Sequence, residues 1–320
     1  MQTDIVVIGS LNSDLVMAVE HFPGPGQTVV SYNLARFCGG KGANQAYAAA
    51  KLGATVAMIG HVGNDAAGRD QREGLASLGI NVDFISVDEE TATGTALIMV
   101  DQTKENRIIV FPGANFTYGI GDFKNAETQI AQAKFVLLQL EIPMEIVRRA
   151  VRLAKGAGAC LILDPAPFQI IGDVVLKDID YLTPNLSELA ALCGFPLNAE
   201  STLEEIELAA RRMLERGANV VIAKLGPRGA LKVNRNGSEY WPGFMVQAMD
   251  PTAAGDCFNA AFAVALRDGL TESKAGAFAN AAAALSVTRA GAQASMPHLK
   301  EVKDFIRSTA SPGSQSAGFA

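Results

Sequence analysis

Apolar, strand-like runs alternate along this chain with amphipathic segments of helical period, and that order of elements admits few folds. Residues 5–8, 55–59, 135–140, 160–163, 180–183 and 220–224 read as strands. Helical periods run over 43–52, 68–78, 145–155, 203–216, 256–267, 273–288 and 299–307, with Gly53, Gly79, Gly217 and Gly269 standing where such helices would stop. Strands joined through helices lie parallel and are covered on both faces. The expected fold class is therefore α/β, a mostly parallel central sheet with helices on both faces, and the length allows either two domains or one large domain. Ligands of such a sheet bind beyond the carboxyl ends of its strands.

Two segments break the alternation. Residues 15–37 and 95–111 read as strands joined by turns, Phe22-Pro23-Gly24-Pro25-Gly26 and Asp101-Gln102-Thr103, without helices between them. They fit either a small β-lid over a ligand or edge strands of the main sheet. Residues 308–320, rich in small polar side chains and lacking a hydrophobic period, are expected to form a disordered tail.

The segment Asp250-Pro251-Thr252-Ala253-Ala254-Gly255-Asp256-Cys257-Phe258 runs directly into an alanine-rich helical period. Small residues at a helix start let backbone N–H groups approach a ligand, and the positive end of the helix favours an anion such as phosphate. A carboxylate there, Asp256, is poorly placed to bind phosphate but well placed to take a proton from a hydroxyl that attacks it. The other reading of Asp256 is a helix cap. A second glycine-rich turn, Gly39-Gly40-Lys41-Gly42-Ala43-Asn44-Gln45-Ala46, opens another alanine-rich helix. Its Lys41 and Asn44 offer donors to a polyhydroxylated ligand or its phosphate, although a plain strand-to-helix turn has the same composition. It is not a P-loop, because Gly42 follows Lys41 and Ala35 occupies the upstream glycine position.

Together, and in this order, the two segments resemble the two signatures of the ribokinase-like (PfkB) carbohydrate kinases. The likeness extends over about residues 4–307 and includes Gly9-Ser10-Leu11-Asn12-Ser13-Asp14, Gln139-Leu140-Glu141, Thr183-Pro184-Asn185-Leu186-Ser187-Glu188, Leu225-Gly226-Pro227-Arg228-Gly229 and Val287-Thr288-Arg289-Ala290-Gly291-Ala292-Gln293. Within the family, the Lys41 and Thr288 segments are typical of the branch that phosphorylates ribose. The resemblance implies one domain over residues 1–307 and ATP-dependent transfer to the primary hydroxyl of D-ribose, with 2-deoxyribose, nucleoside or fructose kinases as alternatives, and a non-catalytic sugar or nucleotide sensor as a further one.

It also implies roles. Asn12, Asp14, Gly40, Lys41, Asn44 and Glu141 would hold the sugar. Asp256 would be the base, and the N–H groups of Ala253, Ala254, Gly255 and Asp256 the anion hole. Asn185, Lys224, Gly226, Gly255 and Asn280 would contact nucleotide, and Glu188 would lie near Mg²⁺. Asp250, Thr252, Val287, Ala290, Gly291 and Ser295 would surround a monovalent cation, K⁺; the competing reading makes Asp250 a stabiliser of its turn. Family lids often pair between subunits, so a homodimer is expected. Three positions depart from the pattern: Pro251 for the usual Thr, Cys257 for Thr or Ala, and Lys224 where this branch often has Thr. Pro251 fixes φ and removes one N–H, which puts the cation loop in question but not the anion hole.

Composition limits the other possibilities. In 320 residues, 49% are hydrophobic and 19% charged, as in a globular protein. The net charge of −6, with no basic cluster, argues against nucleic acid as a partner. No apolar run is long enough to cross a membrane and no export signal is visible at the N-terminus, so a cytoplasmic location is expected. Cys38, Cys160, Cys193 and Cys257 form no C-x-x-C pair and the histidines are dispersed, which argues against zinc and against disulfides. Cys257 is read as a small buried filler.

Overall fold

The computed structural model describes residues 3–103 and 105–310. Thirteen strands form two sheets. In chain order they are β1 (Ile5–Ile8), β2 (Asn12–Ala18), β3 (Asn33–Gly39), β4 (Val56–Gly63), β5 (Asn81–Asp88), β6 (Gly94–Val100), β7 (Asn106–Phe111), β8 (Phe135–Leu138), β9 (Cys160–Leu163), β10 (Tyr181–Leu182), β11 (Val220–Lys224), β12 (Gly229–Asn234) and β13 (Gly237–Pro242). The nine-stranded sheet has the order β13-β12-β11-β10-β9-β8-β1-β4-β5. It is parallel from β11 to β5, and β12 and β13 add an antiparallel edge.

The strand sequences are apolar without a break because both faces are covered. Val6 and Ile8 of β1, Leu161 and Leu163 of β9, and Val221 and Ala223 of β11 pack into one core, with the helices Met144–Gly156 and Leu203–Glu215. Their alternates Ile5, Val7, Ile162 and Ile222 face a second core with the helices Lys41–Lys51, Ala254–Arg267 and Glu272–Ser286. Burying each such Ile, Val or Leu side chain contributes about 1.5–3 kcal/mol. The alanines of the second core serve close approach. Gly42 is in the first turn of its helix, and a Cβ there would stand 2.7–2.8 Å from the backbone of Gly9, so helix and strand meet main chain to main chain at the mouth of the site.

The helix stops at Gly53, Gly79, Gly217 and Gly269 all have positive φ. Several sequence expectations need correction. The run 55–59 continues to Gly63, 135–140 ends at Leu138, and 180–183 shrinks to Tyr181–Leu182. Strands β5, β12 and β13 had no counterpart: β5 is a half-covered edge, and the β12–β13 hairpin needs no helix to connect it, so neither shows the continuous apolar run of a central strand. The helix Leu186–Cys193 was likewise not anticipated. Of the expected tail, residues 308–310 continue the helix Leu299–Ala310, where the hydroxyls of Ser308 and Thr309 donate to the Phe305 carbonyl; residues 311–320 lie outside the described residues.

Strands β3-β2-β6-β7 form a separate four-stranded sheet and are not edge strands of the main one. β2 begins at Asn12, immediately after β1, so this sheet springs from the carboxyl end of a central strand. β7 is exposed throughout, Ile108, Ile109, Val110 and Phe111 each being at least half exposed. Among the described residues no helix is long and apolar enough to cross a membrane.

Candidate active site

The helix Ala254–Arg267 begins with Ala253 as its N-terminal flanking residue, in a left-handed conformation with φ 60°. That region is costly for a residue with a Cβ, and such strain gathers at functional sites. The Ala254 N–H donates to the Pro251 carbonyl at 3.2 Å. This revises the expected anion hole. The donors left at the helix start are the N–H groups of Ala253, Gly255 and Asp256, as the unpaired first turn of a helix requires.

Asp256 does not cap its helix. Its carboxylate accepts one hydrogen bond from the Asn44 amide on Oδ2 and one from the Gln45 amide on Oδ1, both at 3.0 Å and both from the first turns of the helix Lys41–Lys51. Gln45 in turn accepts from Gln139 Nε2 at 2.6 Å. Burial pushes the Asp256 carboxyl up to about 6; nearby Lys41 and the two amides hold it down, and Asp164 pushes it further up. A carboxylate raised toward neutrality is more basic than an exposed one, which suits general-base catalysis. The oxygen of the Asn44 amide, Oδ1, is buried without a partner among the described residues, as an acceptor awaiting a ligand hydroxyl would be.

The other sugar-site candidates converge from three chain segments. Asn12 and Asp14 lie on β2, Gly40 and Lys41 at the neighbouring helix start, and Glu141 after β8. Gly40 has φ 91°, and a Cβ on it would come within 2.7 Å of Asn12 N and Ser10 O, so only glycine turns the chain here. A Cβ on Gly39 would collide with the Asp14 carboxylate. Glu141 accepts from Ser10 Oγ at 2.5 Å. Asn12 Oδ1 accepts from Asn115 Nδ2 at 2.7 Å, and the Asn115 side chain is also bonded to the Leu11 N–H and carbonyl. The Asn12 amide is thereby oriented with its NH₂ group left for a ligand. Lys41 makes no ion pair with a described residue, yet Asp256, Asp164, Glu141 and Glu188 hold its ammonium pKa up against burial, which lowers it.

A cavity of about 240 Å³ lies on the other side of the helix start, where Gly226, Gly255, Phe258 and Asn280 are among its walls. Its lining is mainly apolar, suited to a flat heterocyclic base. Asn280 donates to the Trp241 and Pro242 carbonyls at 2.9 and 3.1 Å, leaving its own carbonyl oxygen. Asn185 and Glu188 form a capping box for the helix Leu186–Cys193: Asn185 Oδ1 accepts the Glu188 N–H, and both Glu188 oxygens accept from Asn185, at 2.8–2.9 Å. The spacing Asn-x-x-Glu, read first as a metal-side element, is also the signature of this cap.

Asp250 joins two loops. Its carboxylate accepts from Thr252 N at 2.9 Å and from Gly291 N at 2.8 Å, while the Val287 carbonyl accepts from Met249 and Asp250 N–H and Ser295 Oγ donates to the Ala292 carbonyl. No described contact involves Ala290 in this cluster. Cys257 is fully buried, and burial pushes its thiol up to about 12, so it is inert.

Sequence reasoning missed Asp164, Asn259, Gln45, Gln139 and Asn115. Each contacts residues remote in the chain; Gln45 and Gln139 lie inside the quoted segments and Asp164 is a charge at the end of an apolar run, whereas Asn259 and Asn115 carried no local signal.

Residues 2–299 match the model of the pfkB family carbohydrate kinases. A ribokinase of Haemophilus influenzae is 39% identical over 306 residues, covering 96% of this chain and 99% of that protein. The structure of a Thermotoga maritima ribokinase superposes with a TM-score of 0.86 at 41% identity, over 95% of this chain and 99% of the other. An Arabidopsis thaliana ribokinase complexed with ribose and ATP gives 0.88 at 34% identity, over 96% and 99%.

One outcome can be read without substrate. Burial, and then the charges of Glu141 and Asp256, raise the Asp14 carboxyl to about 7, with Lys41 opposing. Because this exceeds the ordinary value of 3.8, the folded protein holds a proton that the unfolded chain releases between about pH 4 and pH 7. Stability from this group falls as pH rises through that window, and the penalty is complete above it. Asp14→Asn should therefore raise Tm at about pH 8, by roughly 1.5 °C per kcal/mol relieved, and bring little gain near pH 4. Melting curves at the two pH values check it; an unchanged or lower Tm at pH 8 would refute the penalty.

Proposed function

Because the chain belongs to the pfkB family of carbohydrate kinases, we propose that it transfers the γ-phosphoryl group of ATP to the primary 5-hydroxyl of D-ribose, yielding ribose 5-phosphate and ADP. The observation that carries this reading is the placement of Asp256, a buried carboxylate fixed by Asn44 and Gln45 between the free N–H groups of a helix start and the sugar-site carboxylates.

Asp256 accepts the proton of the attacking hydroxyl as that oxygen bonds to the γ-phosphorus. The bond from phosphorus to the β–γ bridging oxygen breaks, and ADP leaves. The N–H groups of Ala253, Gly255 and Asp256 face the negative charge of the transferring group, and such preorganised donors cost no rearrangement during reaction. Asp14 and Glu141 accept sugar hydroxyls, Asn12 donates through its oriented amide, and Lys41 closes with its ammonium. The nucleotide extends toward Gly226 and Asn280. Residues 15–37 and 95–111 act as a lid that excludes water from the sugar.

Mg²⁺ supplies charge neutralisation on the nucleotide phosphates when bound. Mg²⁺ is commonly held through nucleotide phosphates and its own waters with one or two carboxylates, and a carboxylate is present here in Glu188. Glu188, with Asn185 holding both its oxygens, is the carboxylate that would meet those waters. K⁺ would sit at the oxygen-rich junction of Asp250, Thr252, Val287, Ala290, Gly291 and Ser295, a donor chemistry suited to a hard cation, and its charge would strengthen the field of the anion hole. The exposed apolar β7 supports a homodimer through the lid, since a second copy would cover Ile108–Phe111 residues left open in one subunit.

Ribose should show the highest kcat/KM among ribose, 2-deoxyribose, fructose and adenosine, since carboxylates left unpaired by a missing hydroxyl are costly. Asp256→Asn should lower kcat by ~10²–10⁴-fold with far smaller effects on binding. A nucleoside or hexose ranking first, or near-normal turnover by the variant, would sink the reading. Potassium should raise kcat more than it changes KM; equal rates in potassium, sodium and a bulky organic cation at one ionic strength would remove the cation site. Sedimentation should give a dimer at micromolar concentration, and a fully active monomer would exclude the paired lid.

A further inference from the structure

Lys224 ends β11 on the seam between the nucleotide cavity and the anion hole. Its ammonium pairs with Asp164 at 2.9 Å, and the two side chains are 12% and 3% exposed. The other oxygen of Asp164 accepts from Asn259 Nδ2 at 2.8 Å, and Asn259 is wholly buried on the helix that starts at Ala254. Lys224 Nζ lies 3.2 Å from the point a Cβ on Gly255 would occupy, which sets the ammonium beside the first turn of that helix. An ammonium has three donors, and the described residues take one of them.

We propose that Lys224 is a catalytic residue of this chain, its two free N–H donors binding the oxygens between the β- and γ-phosphorus and on the transferring phosphoryl group, with Asp164 and Asn259 as the residues that position it. The inference rests on the kinase reading above. A buried ion pair keeps its position only when further hydrogen bonds fix it, and here Asn259 supplies that bond from the anion-hole helix itself. Charge develops on the bridging oxygen as its bond to phosphorus breaks, so a fixed cation there favours the transition state over the bound nucleotide. Lys41 lies toward the sugar, at the start of the opposite helix, so the two lysines would bracket the transferring group from its acceptor and donor sides.

Asp164 is the compensating charge. Its carboxylate holds the ammonium at one place in the nucleotide-free protein. Glu188 is close enough to feel both Lys224 and Asp164. A threonine at position 224 would supply a hydroxyl but no charge and could not reach Asp164 as an ion pair.

The test is the steady-state kinetics of the full-length protein with ribose and MgATP. Lys224→Met should lower kcat by ~10²–10³-fold, the loss typical of one preorganised donor, while KM for ribose stays within about threefold. Lys224→Arg should recover part of the loss because the charge is kept, and Asp164→Asn should fall between Lys224→Met and wild type. A purely structural lysine would instead lower Tm and leave kcat per folded molecule unchanged. If Lys224→Met does not fold, Lys224→Met/Asp164→Asn, which leaves no buried charge without its partner, is compared with Asp164→Asn. Lys224→Met within about threefold of wild-type kcat, or a double variant as active as Asp164→Asn, overturns the proposal. Wild-type protein that turns over none of the sugars would sink the underlying reading instead, so the two failures are distinct.

Discussion

The contact on which the rest of this molecule depends is the pair of hydrogen bonds from Asn44 and Gln45 to Asp256. It joins the starts of two alanine-rich helices that are far apart in sequence and packed on the same face of the sheet. A carboxylate taken out of water is costly unless its oxygens are bonded, and here each oxygen receives one amide donor. Asp256 is consequently held in one orientation while remaining basic. Small side chains follow from this: Gly42 and the alanines around it let the helices and β1 approach until the amides reach.

The surrounding charge is deliberately unbalanced. Asp14, Glu141, Asp164, Asp256 and Glu188 face Lys41 and Lys224, and only the Asp164–Lys224 pair is closed by an ion pair. The raised carboxyls of Asp14 and Asp256 are what such a site costs in stability. Rigidity comes from behind: Gln139 supports Gln45, Asn115 supports Asn12, Asn259 supports Asp164, and the Ser10 hydroxyl supports Glu141. Holding first contacts by side chains that touch no ligand is how a preorganised site avoids reorganising during reaction.

The two halves of the ligand site are of different character. The polar groups of Asn12 and Asp14 arise from β2 of the smaller sheet, and Lys41 from the turn at Gly40. The nucleotide side is apolar and built on the antiparallel edge, where Asn280 clasps the backbone of β13. The strained Ala253 stands at the start of the helix that carries Asp256.

The α/β class and most central strands were legible in the sequence, because a strand buried on both faces reads as an uninterrupted apolar run and a glycine stop reads as itself. The small residues before Asp256 and the glycine-rich turn at Gly39–Gly42 offered a phosphate or sugar site, but a helix cap and a plain turn have the same composition. Edge strands β5, β12 and β13 were not legible: half-covered or hairpin-linked, they lack that pattern. Nor was the cap role of Asn185 and Glu188 distinguishable from a metal role by spacing. What only the tertiary structure decided is the set of partners. That Asp256 is bonded rather than a cap, that Ala254 gives its N–H to Pro251, and that Lys224 leans over Gly255 from a different strand are distances between segments remote in the chain, which depend on packing and on no local preference.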